Sequence, residues 1–365
     1  MIKLSDLLLQ YKQPFEQAYG HRLLPSQRQA INAILACRTP DAGEMIVQCP
    51  DCGRFEWRPK SCGNRNCPGC QNHETSVWLN RQQNKLLPVP YFLVTFTVPA
   101  SLRKLAWHHQ RLFFSCLFDA SAHALRALAG NEKFLGGTPG MTGVLHTNSR
   151  QLDFHPHIHY IVPAGAIEPE KRLWRRSKDN KFLFPQHALN SVFRARLVML
   201  LRSHDLVVSE AAFSKDWIID CEYAGSGAPA LKYLARYLYR GVIAEKRIIS
   251  NKNGLVTFLW RESKTKKLQR KTMPGAQFLW QVLQHTLPGG FRRVRDYGFL
   301  HGNSRGLLTL IQLLLRARPA QTERPKRPAF KCPDCGSAMA IKGFRCPGSS
   351  RSPPAEPLHL HNKGF

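Results

Sequence analysis

Three histidines alternate with other residues in the run His155-Pro-His-Ile-His159, and β-prone residues follow at 160–162. Successive side chains of a β-strand point to opposite faces, so residues i, i+2 and i+4 share one face. A strand here would bring three imidazoles together. Two of them with one further polar ligand suit a divalent cation that keeps positions open for phosphate oxygens. His155 or His146 would supply the third ligand, and a structural zinc site or histidine-rich turn is the alternative interpretation.

The pattern around this run predicts an α+β fold with an antiparallel sheet flanked by helices. The run YFLVTFTVP at 91–99 ends at a proline and indicates a central strand. Two β-like runs at 143–149 and 152–162 predict an antiparallel hairpin, while 101–130 and 187–204 are helical in composition. Strands and helices alternate irregularly, which favours this class over a doubly wound fold.

A predicted helix over residues 228–244 carries Tyr233 and Tyr237. Residues four apart lie on one face of a helix, so both hydroxyls could reach one site. A tyrosine close to a metal and to arginines can attack a phosphodiester, giving a 5′-phosphotyrosine and a free 3′-OH. The pair alone is also typical of core packing, and it gains meaning from the histidine strand upstream.

Cysteines in an intracellular protein indicate metal binding more often than disulfides. Cys49, Cys52, Cys67 and Cys70 have the spacing of a four-cysteine zinc site, with Cys62 as a substitute ligand. A redox or iron–sulfur role is the alternative. A second zinc site on Cys332, Cys335 and Cys346 would need His359 or His361 to complete it.

Lys and Arg number 53 against 24 Asp and Glu, so the formal net charge is +29. Such a charge calls for a polyanionic partner, and nucleic acid is the commonest one; a ribosome or a membrane surface is the alternative. The opening residues lack the apolar core of a secretory signal, and no stretch approaches the uninterrupted apolar length of a membrane helix. We therefore expect a cytoplasmic, nucleoid-associated protein with no membrane partner.

The strand at 91–99, the histidine run and the Tyr-x-x-x-Tyr helix occur in the order of the three motifs of the HUH endonuclease superfamily. Within it, the chain resembles the bacterial insertion-sequence transposases that move by a rolling circle and are relatives of the eukaryotic Helitrons. The supporting matches are CRTPDAGEMIVQCPDCG, SCGNRNCPGCQ, KYLARYLYRGVIA and LPGGFRRVRDYGFL.

The resemblance implies an HUH nuclease-like fold in which His157 and His159 are paired ligands of Mg²⁺ or Mn²⁺ and Tyr233 and Tyr237 are the nucleophiles. It leaves open which tyrosine cuts first. The partner is single-stranded DNA at element ends and target. No G-x-x-x-x-G-K-[ST] motif occurs, so unwinding would need a host helicase. A plasmid replication initiator or relaxase, and a non-enzymatic zinc-dependent DNA-binding protein, are the alternatives.

The composition predicts four segments. Residues 1–90 form a helical, zinc-binding, DNA-recognition domain, and residues 91–255 the nuclease and strand-transferase domain. Residues 256–320 form a basic DNA-binding extension whose aromatic residues belong mostly to the core. Residues 321–365 form a linker and a cysteine-containing tail.

Overall fold

A computed structural model describes residues 1–179, 181–214, 217–238, 241–262, 265–317 and 325–347, without the side chains of residues 211, 214, 236 and 237. The helices are α1 (Leu4–Gln10), α2 (Lys12–Tyr19), α3 (Pro25–Ala36), α4 (Asn72–Gln83), α5 (Arg103–His108), α6 (Gln110–Gly130), α7 (Gln186–Ser203), α8 (Ala211–Ser214), α9 (Ala228–Leu238), α10 (Gly275–Leu283) and α11 (Arg305–Leu314). The strands are β1 (Glu44–Gln48), β2 (Phe55–Pro59), β3 (Tyr91–Thr97), β4 (Thr138–Asn148), β5 (Phe154–Pro163), β6 (Gly165–Glu168), β7 (Leu173–Arg176), β8 (Ile219–Tyr223), β9 (Ile248–Lys252), β10 (Leu255–Arg261), β11 (Leu268–Pro274), β12 (Val294–Gly298), β13 (Phe330–Lys331) and β14 (Ala338–Arg345).

The central sheet is antiparallel, in the order β7-β6-β4-β5-β3-β8, with β12 also paired to β4. The predicted α+β class is confirmed. β3 lies between β5 and β8, as expected for a central strand, and β4 and β5 form the predicted hairpin. The β4–β5 register shifts between His146 and Asn148, beside Pro156, which donates no ladder hydrogen bond.

The two faces of the central sheet are covered by different helices. Phe92, Phe96 and Tyr160 point to one face and pack with α6 and α7 in the largest apolar core. Val144 and Ile161 point to the other face and pack with the buried side of α9 and with Trp78 of α4. Because side chains alternate along a strand, the histidines of β5 share the second face.

The α6 helix is long and apolar enough to cross a membrane by length and composition, and 67% of its apolar window is buried in the protein. The sequence prediction that no stretch approaches this length is therefore corrected. The burial explains the composition: Phe113, Leu117 and Leu125 are fully buried against the central sheet and α7. A core helix needs apolar residues on most of its surface.

A second, three-stranded sheet has the order β11-β10-β9 and packs against the N-terminal helices. Leu4, Leu7 and Phe15 share an apolar core with Val256 and Phe278. The helices of the predicted helical N-terminal region thus cover this sheet and α10. Phe258, Trp280 and Phe291 are buried, which confirms the core role predicted for most of these aromatics.

A third sheet, which we call the ribbon, has the order β13-β14-β1-β2 and so joins strands from the two ends of the chain. Strand pairing also crosses the predicted boundary at 255/256, since β9 pairs with β10, and β12 belongs to the central sheet. The predicted division of the chain is corrected in these respects. Hydrogen bonds between distant strands decide the grouping, and composition does not record them.

Candidate active site and cysteine clusters

Three histidines meet on the α9 side of the central sheet. His146 of β4 stands directly opposite His157 of β5, and His159 lies two residues further along β5 on the same face. Their ring nitrogens lie within 4.8 Å of one another, and all three residues are buried. The sheet register therefore builds a three-imidazole group of the kind that can hold a divalent cation.

His155, the nearest candidate for the third ligand by spacing, lies outside this group. Its Nδ1 accepts a hydrogen bond from Arg103 Nη2 at 2.8 Å. The structure brings His146 to the pair instead, which corrects the preference for His155 and selects the alternative residue. The register shift between His146 and Asn148 explains the difference, because the β4–β5 ladder is disrupted where His155 lies.

Neighbouring groups fix the orientation of the rings. His157 Nδ1 donates to the backbone carbonyl oxygen of His155 at 2.7 Å, so its Nε2 keeps the lone pair that a metal needs. Thr95 stands opposite His159 on β3, and its Oγ1 lies 2.8 Å from His159 Nδ1. Such second hydrogen bonds are typical of metal-binding histidines, whose tautomer and ring orientation they set.

Burial keeps the imidazoles neutral. It lowers the pKa of His146 and His157 well below the usual range, and the neighbouring His159 adds to both shifts. Burial likewise lowers the pKa of His159 to about 4. Neutral imidazole is the metal-binding form, so the three residues present a donor set that fits a divalent cation at neutral pH.

The α9 helix places Tyr233 beside the histidines. The Tyr233 and His159 ring centroids are 6.1 Å apart in an edge-to-face arrangement, and Tyr233 is 36% exposed. Leu231, Leu234 and Leu238 are buried beneath the helix. Tyr237 belongs to α9 one turn later, but its side chain lies outside the described residues, as does Tyr239.

A glycine allows α9 to start close to the central sheet. Gly227 precedes the helix with φ of +76°, in the left-handed region that glycine favours. A Cβ at this position would lie 2.7 Å from the Tyr91 ring of β3. The residue at 227 therefore has to be glycine for α9 to keep its distance from the sheet.

The histidines and Tyr233 line a cavity of about 570 Å³ between the central sheet and the second sheet. The cations around it come from separate parts of the chain: Arg150, Arg247, Arg261 and Lys266. Among the described residues, no Asp or Glu side chain lines the cavity. An open cavity with a positive rim is suited to a phosphate backbone.

Part of the basic region has a structural role that the sequence did not reveal. Arg293 is buried, and its Nη1 donates to the carbonyl oxygen of Leu238 at the end of α9, at 3.4 Å. Burial lowers its pKa to about 10. Arg295 packs over the Phe118 ring at 4.3 Å. These two cations of the predicted DNA-binding extension thus support the site from within the protein.

The cysteines form two groups, which corrects the prediction of one site on Cys49, Cys52, Cys67 and Cys70. The knot cluster consists of Cys37, Cys62, Cys67 and Cys70. Its Sγ–Sγ distances include 3.6 Å for Cys37–Cys70 and 3.7 Å for Cys62–Cys70. Thiolates at about 2.3 Å from a tetrahedral Zn²⁺ stand roughly 3.8 Å apart, so this cluster fits zinc. Cys62 is a full member, and Cys37 was missed because 24 residues separate it from Cys62.

The knot cluster lies close to the tyrosine helix. The α4 helix begins at Asn72, directly after Cys70, and packs against α9 through Trp78. A Cβ on Gly241, just after α9, would lie 2.7 Å from the backbone oxygen of Asn66. The tyrosine helix and the segment after it thus each contact a residue close in sequence to the knot cluster.

The ribbon cluster consists of Cys49, Cys52, Cys332 and Cys335. Cys332 and Cys335 therefore do come together with other cysteines, but their partners are in the N-terminal region. Cys346 belongs to neither group among the described residues. His359 and His361, predicted to complete a second site, lie outside the described residues. A sequence signal exists, because Cys49-Pro-Asp-Cys-Gly53 and Cys332-Pro-Asp-Cys-Gly336 are identical.

Two family models match the chain. One is described as a putative transposase and covers residues 140–306, which include His146, His157, His159 and α9. The other is described as a transposase zinc-binding domain and covers residues 7–98, which include the whole knot cluster.

The chain is similar over most of its length to two curated proteins. It is 30% identical to the putative transposase y4qJ of Sinorhizobium fredii, with 93% of this chain and 94% of the relative aligned. It is 28% identical to the transposase for insertion sequence element IS801 of Pseudomonas savastanoi, with 88% and 85% aligned. The chain therefore belongs to the IS91/IS801 family of insertion-sequence transposases, with their N-terminal zinc-binding domain.

Proposed function

We propose that this transposase nicks single-stranded DNA with a tyrosine nucleophile and transfers the strand through a 5′-phosphotyrosine intermediate, beside a divalent cation held by histidines. One observation carries the proposal: the Tyr233 ring stands 6.1 Å from the His159 ring at the wall of a basic cavity. Sheet register and helix packing bring these two residues together although they are 74 positions apart in the sequence.

His146, His157 and His159 would hold the cation, which would supply a Lewis acid for a phosphate oxygen and offset the charge that develops in the transition state. Oxygen ligands suit Mg²⁺, whereas nitrogen ligands favour the transition metals. An all-imidazole set therefore supports Mn²⁺ over Mg²⁺. Thr95 and the His155 carbonyl oxygen act as positioning groups, because they hold the rings in the orientation that leaves Nε2 directed to the cavity.

Tyr233 would attack the scissile phosphorus through its phenolic oxygen and lose its proton. The bond from phosphorus to the 3′ oxygen breaks as the bond to the tyrosine forms, and the 3′ oxygen takes up a proton. The products are a 5′-phosphotyrosine and a free 3′-OH, which conserve the energy of the phosphodiester for rejoining. Tyr237, one turn later on α9, would serve the second cleavage.

Single-stranded DNA at the element ends and at the target is the proposed substrate. Arg150, Arg247 and Lys266 come from three separate segments around the cavity, and they can contact successive phosphates of one strand. The sequence contains no P-loop, so a host helicase or an already unpaired region would supply the strand. The proposed activity would take place in the cytoplasm, at the nucleoid.

The zinc-binding N-terminal region would recognise DNA next to the cleaved strand. Arg54 and Arg58 are on the ribbon hairpin, although both also pair with Glu56. Arg65, in the same region, donates to the carbonyl oxygen of Phe291 at 3.1 Å and so connects the knot cluster to the segment that leads into β12. Arg54 also pairs with Asp334 at 2.6 Å, so Lys60 and Arg58 are the better candidates for DNA contact.

Cleavage of a labelled single-stranded oligonucleotide of the element end tests the proposal. With Mn²⁺ we expect a covalent protein–DNA adduct that EDTA prevents and that Tyr233→Phe/Tyr237→Phe abolishes. Tyr223→Phe is the matched control, because Tyr223 is 52% exposed on β8 and lies outside the cavity lining. Adducts that persist in the double variant would refute the tyrosine mechanism. Binding without any metal-dependent adduct in the wild type would favour the non-enzymatic alternative.

A further inference from the structure

The ribbon joins the two ends of the chain through a small sheet. β1 of the N-terminal hairpin pairs with β14 of the C-terminal hairpin, from Glu44 opposite Arg345 to Gln48 opposite Ala340. Its apolar core contains Val47, Met339 and two of the cysteines, with Met45 packed against them. So little apolar burial cannot by itself hold two hairpins together.

The four sulfur atoms of the ribbon cluster lie at distances that fit a shared metal. Cys49 and Cys335 are 3.4 Å apart, and Cys52 lies 3.5 Å from Cys332 and 3.8 Å from Cys335. A disulfide would require about 2.05 Å. Tetrahedral zinc with four thiolates requires roughly 3.8 Å, which is close to the observed spacing.

The two halves of the cluster have the same local structure. In each, the glycine that ends Cys-Pro-Asp-Cys-Gly has a positive φ, +74° for Gly53 and +77° for Gly336. The Gly53 N–H donates to the Cys49 carbonyl oxygen at 3.1 Å, and the Gly336 N–H to that of Cys332 at 2.9 Å. Each half thus presents a tight turn with two thiols, and two such turns complete a four-thiolate site.

We propose that the ribbon cluster binds a Zn²⁺ ion of its own, in addition to zinc in the knot cluster, and that this ion fastens the C-terminal hairpin to the N-terminal region. Half of the site lies outside residues 7–98, the segment that matches the zinc-binding domain. The inference is independent of the nuclease mechanism, because no residue of the ribbon cluster lines the histidine cavity.

Zinc content of the purified full chain tests this inference. Native mass spectrometry and elemental analysis should find two zinc ions per wild-type chain and one in Cys332→Ser/Cys335→Ser. Cys346→Ser is the matched control, since Cys346 belongs to the same tail but to neither cluster, and it should keep two. One zinc in the wild type, iron in place of zinc, or two zinc ions in the double variant would each overturn the proposal.

Amide hydrogen exchange provides a second test of the ribbon zinc site that does not depend on the variants. Removal of zinc from the wild-type chain with a chelator should strip protection from the β14 amides that pair with β1, and added Zn²⁺ should restore it. Protection of β14 that is unchanged by metal removal would also overturn the proposal.

Substitution with Co²⁺ identifies the ligands. The thiolate-to-metal charge-transfer absorption per chain should fall by half in Cys332→Ser/Cys335→Ser.

Discussion

The histidine site and the ribbon cluster are both carried by antiparallel strands and turns, but they differ in how far apart their ligands are in sequence. The three histidines lie between residues 146 and 159 on one hairpin. The ribbon cluster unites cysteines 280 and 286 residues apart. The first site is fixed by one local register and lies on a large core, whereas the second depends on the meeting of two small hairpins. The ribbon should therefore be the metal-dependent part of the fold, and the histidine site should be largely preformed.

The largest effect is expected from His157→Ala. This change removes one of the three proposed metal ligands, so adduct formation should fall by at least about 100-fold, while the zinc content stays at the wild-type value. His204→Ala, at an exposed position after α7, is the control. A large loss of zinc in His157→Ala would show that the histidine site and the zinc clusters depend on each other, which contradicts the distinction drawn above.

Thr95→Val should have the next largest effect. It preserves the shape of the side chain but removes the hydroxyl 2.8 Å from His159 Nδ1. Loss of such a partner typically weakens metal affinity about 10- to 100-fold. Titration of cleavage with Mn²⁺ should show a higher half-saturating concentration and recovery at high Mn²⁺. Lower cleavage that Mn²⁺ does not restore would contradict a positioning role for Thr95.

The free energy of unfolding should decrease as the pH is lowered, because a buried histidine outside the metal group resists protonation in the folded state. Burial lowers the pKa of His285 to about 4, below its ordinary value of 6.5. The folded state therefore disfavours the proton that the unfolded state binds, so this stability is complete above pH 6.5 and is lost as pH falls toward 4. The loss should be roughly 1–3 kcal/mol. Chemical denaturation of the wild type and His285→Gln should give a shallower pH slope in the variant; equal slopes would refute the assignment.

The smallest effect is expected from substitutions on the ribbon surface, which should change DNA binding only. Met45 stands opposite both Arg58 and Phe344, so these side chains share a face, and Lys60 lies 5.7 Å from the Phe344 ring. Partly exposed cations beside aromatic rings suit single-stranded DNA. Arg58→Gln/Lys60→Gln should weaken binding about 3- to 10-fold and reduce its salt dependence. Lys133→Gln/Lys171→Gln, which also removes two cations, is the control for net charge. An equal loss of binding in that variant would mean that the ribbon face is not specific.

The sequence determined those features that rest on short periodic patterns. Alternation along β5 predicted that its histidines share a face, and the spacing of Tyr233 and Tyr237 predicted one helical turn between them. The hairpin and the central strand followed from β-prone runs bounded by turn residues. These predictions needed only the geometry of a single strand, helix or hairpin.

Only the tertiary structure decided which distant segments meet. The β4–β5 register selected His146 over His155, the pairing of β1 with β14 divided the cysteines into two clusters, and burial turned Arg293 from an expected DNA contact into a support for α9. Register, strand pairing between chain ends and burial depend on the packing of the whole chain. The physical reason is that local patterns fix the direction in which a side chain points, while the neighbour that it meets there is fixed by long-range contacts.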